Sequence, residues 1–363
     1  MAEGLTFDPS IWPVPAQPVE GKRDGIAAWI EYAIFRGVLT GGALLPFALQ
    51  RVLVGGVSRL AKALDRRHSS SAREFLSQAF PHEDPRAIEA RVLQAYRHFL
   101  GMTLRSQRWG ARAKRWALGD PSWREHVEVD VSEEVREVAA RKQGVIVVTA
   151  HVGDWESGSA LLPLLGFGPP TYAVGRAARN KPLSLYIHRE RQRRGVLILP
   201  RRGAMEFAGP ILGAGGTLAL ILDQRARKRP VYAPFFGRAA RCDRSAGVLL
   251  RRFRVPIVFA ACYETSDPDR LRFVARRKLE PEDLQGRSPE GIASLVNREL
   301  EELIREAPDQ YFWLHDRYQG GDDAEASNGR QAVTDCPTPA EARAPVGPSD
   351  RAAGTGTDPA EPA

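Results

Sequence analysis

Three titratable side chains, His151, Asp154 and Glu156, fall within the ten residues TAHVGDWESG at positions 149 to 158. A neutral imidazole can take a proton from a hydroxyl when a carboxylate on its other nitrogen fixes the tautomer and stabilises the imidazolium that forms. Either Asp154 or Glu156 can be that carboxylate. Each also has a plainer use. Aspartate ahead of a helix caps it, and glutamate in a first turn meets the positive end of the helix dipole. A metal site fits less well, because no second histidine stands four residues on and no cysteine is near. A nucleophilic serine needs an elbow of the form GxSxG, which ESGSA does not supply.

Strands and helices on either side of the motif must hold these groups in place. His151 follows the apolar run GVIVVTA, so it is expected at the carboxyl end of a buried strand, with a helix starting after Asp154. Further strands are expected at PTYAVG, GVLILP, TLALILD, VPIVFAACYE and RLRFVARR, with helical stretches between them such as KPLSLYIHRERQRR and AGVLLRRFR. Continuous Val/Ile/Leu runs imply strands buried on both faces. The expected class is α/β, a mixed, mainly parallel sheet flanked by helices, with function at the carboxyl ends of the strands. Asp223 ends one such run and Arg176 follows another, so both are candidates for contact with substrate. His188 and His315 read as structural or surface residues.

Residues 1–24 form an N-terminal arm and 25–126 a helical, membrane-associating lead-in. Its apolar stretch GVLTGGALLPFALQ is too short to span a bilayer, which leaves a helix lying at the membrane interface or one packed on the domain. The α/β core is expected over 127–321. The Ala/Pro/Gly-rich remainder, 322–363, is expected to be disordered. With 363 residues and a net charge of +8, the chain can bury a substantial core and favours an anionic partner, whether a phosphate-bearing metabolite, an anionic membrane surface or nucleic acid. Nucleic acid has charge alone in its favour, since no helix-turn-helix, RNP or zinc pattern is present, and it is not expected. Three cysteines far apart fit a reducing compartment, and the opening residues carry no secretory leader pattern.

The segment AHVGDWE resembles the HX4(D/E) motif of membrane acyltransferases, and more closely the HxGNWE form of the bacterial lipid A biosynthesis (lauroyl/myristoyl) acyltransferase family. Asp154 stands where that family usually has Asn. HRERQRRG resembles the family's arginine-bearing segment, ILDQ its Asp-Gln strand end, YAPFFGRAA its FFG segment and YFWLHDRY its closing Trp-His-Arg motif, all in the family's order. The resemblance implies a glycerol-3-phosphate acyltransferase-like fold at the cytoplasmic face of the bacterial inner membrane, bound peripherally or monotopically. It implies transfer of an acyl chain from acyl carrier protein or coenzyme A to a hydroxyl of a lipid A precursor or related glycolipid. Phosphatidylinositol mannoside, glycerolipid or ornithine lipid are alternative acceptors, and a non-catalytic membrane-binding protein is a further alternative. In that reading His151 is the base and Glu156 its partner. Arg189, Arg191, Asp223 and Arg176 bind substrate, Asp154 caps the helix, and no metal or cofactor beyond the thioester co-substrate is needed.

Overall fold

The apolar runs of the second half of the chain become the strands of one sheet in the computed structural model, which describes residues 12–15, 17, 21–169 and 171–318. The expected disordered tail and most of the expected N-terminal arm lie outside the described residues.

Helices come first. α1 (Ile26–Leu44) and α2 (Phe47–Leu64) are separated at Leu45 and Pro46, where proline keeps the residue before it out of helical conformation. The junction is held by Gln50, whose Nε2 donates to the Gly42 carbonyl at 2.7 Å, and by Arg108, whose Nε donates to the Ala43 carbonyl at 3.0 Å. α3 (Arg66–Ala79) follows. α4 (Pro85–Ala117) is capped by Asp84, which accepts from the N–H groups of Arg86 and Ala87. Pro85 suits its first turn because an N–H there would have no partner in the helix. One face of α4 is buried through Val92, Ala95, His98, Met102, Trp109 and Trp116.

The layered part begins with α5 (Trp123–His126), β1 (Val127–Val131) and α6 (Glu133–Ala140), followed by β2 (Val145–Thr149) and α7 (Trp155–Leu161). β3 (Thr171–Gly175), α8 (Lys181–Gln192), β4 (Val196–Pro200), α9 (Ala204–Gly213) and β5 (Thr217–Ile221) continue the alternation. A hairpin of β6 (Val231–Phe235) and β7 (Arg238–Cys242) precedes α10 (Ser245–Phe253), β8 (Ile257–Glu264), β9 (Leu271–Leu279) and α11 (Pro289–Glu306). The main sheet has seven strands in the order β1-β9-β8-β2-β5-β3-β4, and every neighbouring pair is parallel except β8 and β9.

Both faces are covered, as the unbroken apolar runs require. On one, Ile146, Val148, Leu218 and Leu220 pack with Ile211, Leu249 and Leu300 from the helices. On the other, Val147, Ala219, Ala260 and Phe273 pack with Trp109, Val135, Leu161 and Phe167. The mixed, mainly parallel α/β sheet expected from the sequence is therefore present. β1 and the β6–β7 hairpin are additional to the strands expected.

α1 and α2 differ from the other helices in what they expose. Ile26, Ile30, Ile34 and Val38 recur every fourth residue along α1 and are each more than half exposed, as are Leu49, Val52, Leu60 and Leu64 on α2. No described helix is long and apolar enough to cross a membrane.

Candidate active site

The loop between β2 and α7 is held by backbone contacts from several sides. Gly153 adopts φ 64°, and a Cβ there would stand 1.9 Å from the Cys262 carbonyl oxygen, so only glycine fits. Its N–H donates to the Gln310 carbonyl at 2.9 Å, the Asp154 N–H to Cys262 at 2.7 Å, and the Phe312 N–H to the His151 carbonyl at 2.9 Å. Buried His98 on α4 adds a side-chain contact, Nε2 to the Gly153 carbonyl at 3.1 Å.

His151 meets Asp223. Its Nδ1 lies 2.7 Å from Asp223 Oδ1, and its backbone N–H donates to Oδ2 at 3.2 Å. The sheet register explains the meeting: Thr149 on β2 pairs with Ile221 on β5, and each of these two residues stands two positions ahead of one partner. Burial pushes the Asp223 carboxyl up, but the charge and hydrogen bond of His151 outweigh it and hold the group well below the usual carboxylate range. An ionised Asp223 assigns the proton to Nδ1 and leaves Nε2 as the free acceptor of the neutral ring.

The expected His151–Glu156 hydrogen bond is not made. Glu156, in the first turn of α7, is taken by Arg191 of α8, which donates from Nε at 2.9 Å and also from its terminal nitrogen. Burial raises the Glu156 carboxyl and Arg191 more than reverses this, so the pair is ionised. Asp154 is the helix cap: it accepts from the Ser157 N–H at 2.9 Å and from the Ser157 hydroxyl at 2.7 Å. It is fully buried, and burial pushes its carboxyl up to about 6.

A cavity of about 860 Å³ opens over the carboxyl ends of the central strands, with His151, Glu156 and Arg191 in its wall. Inside it is apolar. Val147, Ala173, Ile198, Ala219, Ala260 and Phe273, from six neighbouring strands, line it together with Gly158 and Leu162. Its rim is cationic, with Arg176, Arg201, Arg202, Arg225, Arg227 and Lys228.

Of the residues expected to bind substrate, Arg191 and Arg176 reach the cavity. Asp223 does not, since it is wholly buried behind His151, and Arg189 sits exposed on α8 away from the cavity lining. His188 is half-buried, and burial together with Arg191 lowers its ring to about 4. His315 stacks on Phe312, and burial lowers its pKa. Among the described residues no cluster of side chains could hold a metal ion. Sequence reasoning did not find His98, Arg201 or Arg227, because each is placed by contacts between elements far apart in the chain.

A histidine oriented by a carboxylate at strand ends, beside a cavity apolar within and cationic at its rim, is an arrangement suited to an α/β enzyme. The chain belongs to the bacterial lipid A biosynthesis acyltransferase family, whose model matches residues 22–320. It is an acyl-transferring enzyme. The chain is 24% identical over 287 residues to the lipid A biosynthesis palmitoleoyltransferase of Escherichia coli (strain K12), covering 78% of this chain and 89% of that protein. The lipid A biosynthesis acyltransferase of Shigella flexneri matches with the same identity and coverage.

Proposed function

We propose that this enzyme transfers a fatty acyl chain from the thioester of acyl carrier protein or coenzyme A to a hydroxyl of a lipid A precursor. His151 Nε2 takes the hydroxyl proton as the oxygen attacks the thioester carbonyl. The tetrahedral oxyanion collapses, the carbon–sulfur bond breaks, and the imidazolium returns its proton to the departing thiolate. Asp223 stabilises the imidazolium and fixes its tautomer. Glu156 acts through Arg191, holding that guanidinium at the cavity wall where it can donate to the oxyanion. The apolar part of the cavity takes the acyl chain.

The observation that carries this reading is the hydrogen-bonded His151–Asp223 pair at the wall of a cavity with an apolar interior. Membrane association fits the same picture. The exposed Ile/Val row of α1 and the Leu/Val row of α2 suit insertion at a bilayer interface, with cations near the lipid head groups. The test is acyl transfer by purified protein, with acyl carrier protein and coenzyme A thioesters offered separately. Lipid mass spectrometry of cells with and without the protein goes beside it. Loss of one acyl mass from a lipid A species, and loss of turnover in His151→Ala, are expected. Unchanged lipids with full activity of His151→Ala would sink the proposal.

A further inference from the structure

β5, β3 and β4 lie side by side and end at one level, and arginines follow all three. Gly175 on β3 pairs with Pro200 on β4, and the ladder continues one step as the Arg201 N–H donates to the Gly175 carbonyl at 3.2 Å. Arg176 and Arg201 therefore leave adjacent strands at the same height. Arg227 joins them from the segment after β5, at the same cavity rim. The three guanidiniums share one field: burial, then the charges of Arg201 and Arg227, lower the pKa of Arg176. Asp243 meets Arg201 at 3.2 Å. Among the described residues Arg176 and Arg227 make no ion pair or side-chain hydrogen bond. Arg176 and Arg227 thus leave positive charge at the cavity rim that no carboxylate of the described residues balances, and an anion from outside can neutralise it.

We propose that Arg176, Arg201 and Arg227 form a cradle for a phosphate group carried by one of the enzyme's two substrates. This deepens the acyl-transfer reading and rests on it for the identity of the reacting site. Three guanidiniums suit a phosphate better than a carboxylate, because its oxygens accept forked donors from several directions at once. The position follows from the sheet. Strands are spaced by about 4.8 Å, so β3 stands two steps, about 10 Å, from the β2 strand that carries His151, and β4 stands three steps, about 14 Å. A phosphate held there sets which hydroxyl of the acceptor, or which end of the donor, comes to His151.

The test is calorimetric binding to the full chain without turnover, using two pairs of soluble probes. Glucosamine 1-phosphate against glucosamine tests a phosphate on the acceptor. 4′-Phosphopantetheine against pantetheine tests one on the donor. The expected result is at least about tenfold tighter binding of the phosphorylated member of one pair, and the pair that discriminates names the source. Arg176→Gln/Arg227→Gln should abolish that preference with an unchanged unfolding temperature, and His151→Ala should retain it. Equal binding within both pairs by the wild type, or an undiminished preference in the double variant, overturns the cradle. A wild-type protein that shows the preference yet transfers no acyl group would overturn the acyl-transfer reading alone.

Discussion

Replacing Asp154 by Asn tests the electrostatics of the site without touching its chemistry. The carboxyl is fully buried, and burial and the nearby Glu264 carboxylate oppose its charge. Hydrogen bonds from Ser157 and the field of Arg194 favour the charge and lose. Its pKa rises from 3.8 to about 6 on folding. The folded state thus holds a proton that the unfolded chain has released, so stability falls as pH rises through the window from 3.8 to about 6. A shift of about two units corresponds to about 3 kcal/mol at full development. Asn has no charge to bury, keeps an oxygen for the Ser157 N–H, and can donate to the Ser157 hydroxyl that now donates to Asp154. The difference in unfolding free energy between Asp154→Asn and wild type should therefore move by about 3 kcal/mol in favour of Asn between pH 4 and pH 8. Urea unfolding at a series of pH values reads it, and comparing the two proteins at each pH cancels every other titrating group. Acyl transfer at pH 8 should stay within about a factor of three of wild type, since Asp154 does not touch the cavity. A stability difference that is flat with pH, or that grows in favour of Asp, would refute the reasoning.

The His151–Asp223 and Glu156–Arg191 pairs can be separated by proton NMR together with kinetics. A low-field Nδ1 proton of His151 should persist in Glu156→Ala and vanish in Asp223→Ala. Asp223→Asn should lower kcat on the order of 10² to 10⁴-fold, and survival of the low-field proton in Asp223→Ala would remove Asp223 from its assigned place. For the exposed face of α1, Ile30→Glu and Ile34→Glu should each weaken binding to vesicles containing anionic lipid by about tenfold or more, since each forfeits burial of an aliphatic side chain worth about 1.5–3 kcal/mol. Co-sedimentation measures this, and unchanged binding of the double variant would show that α1 does not enter the bilayer.

The fold class was legible because the strands that build the sheet are buried on both faces and announce themselves as unbroken apolar runs, from Val145–Thr149 to Ile257–Glu264. β1 was not, because VEVDV alternates carboxylates with valines and shows little apolar density. The β6–β7 hairpin escaped for a related reason, with Pro234 in one strand and two arginines in the other. Asp154 as a cap was legible, since capping is local and depends on the few residues that follow. The partner of His151 was not, because strand order is a property of the whole sheet. Nothing in TAHVGDWESG indicates that β5 will lie beside β2, 72 residues apart in the chain.

That difference between local and sheet-level information explains how three neighbouring titratable groups acquire three separate roles. Glu156 is five positions beyond His151, but a helix begins between them. Its first turn carries the carboxylate toward α8, where Arg191 and not the imidazole meets it. Asp154 is bound by the geometry of that same first turn and spends both oxygens on Ser157. His151 alone remains on the strand side of the junction, so its partner has to come from the next strand, at the position its register dictates. The short spacing of the motif thus serves to place a strand end and a helix start at one corner of the cavity. The imidazole is fixed from the sheet, and the guanidinium is fixed from the helix. A single-residue insertion between Gly153 and Asp154 would break this arrangement even with every titratable group retained, because Gly153 and Asp154 are both tied to the Cys262 carbonyl region.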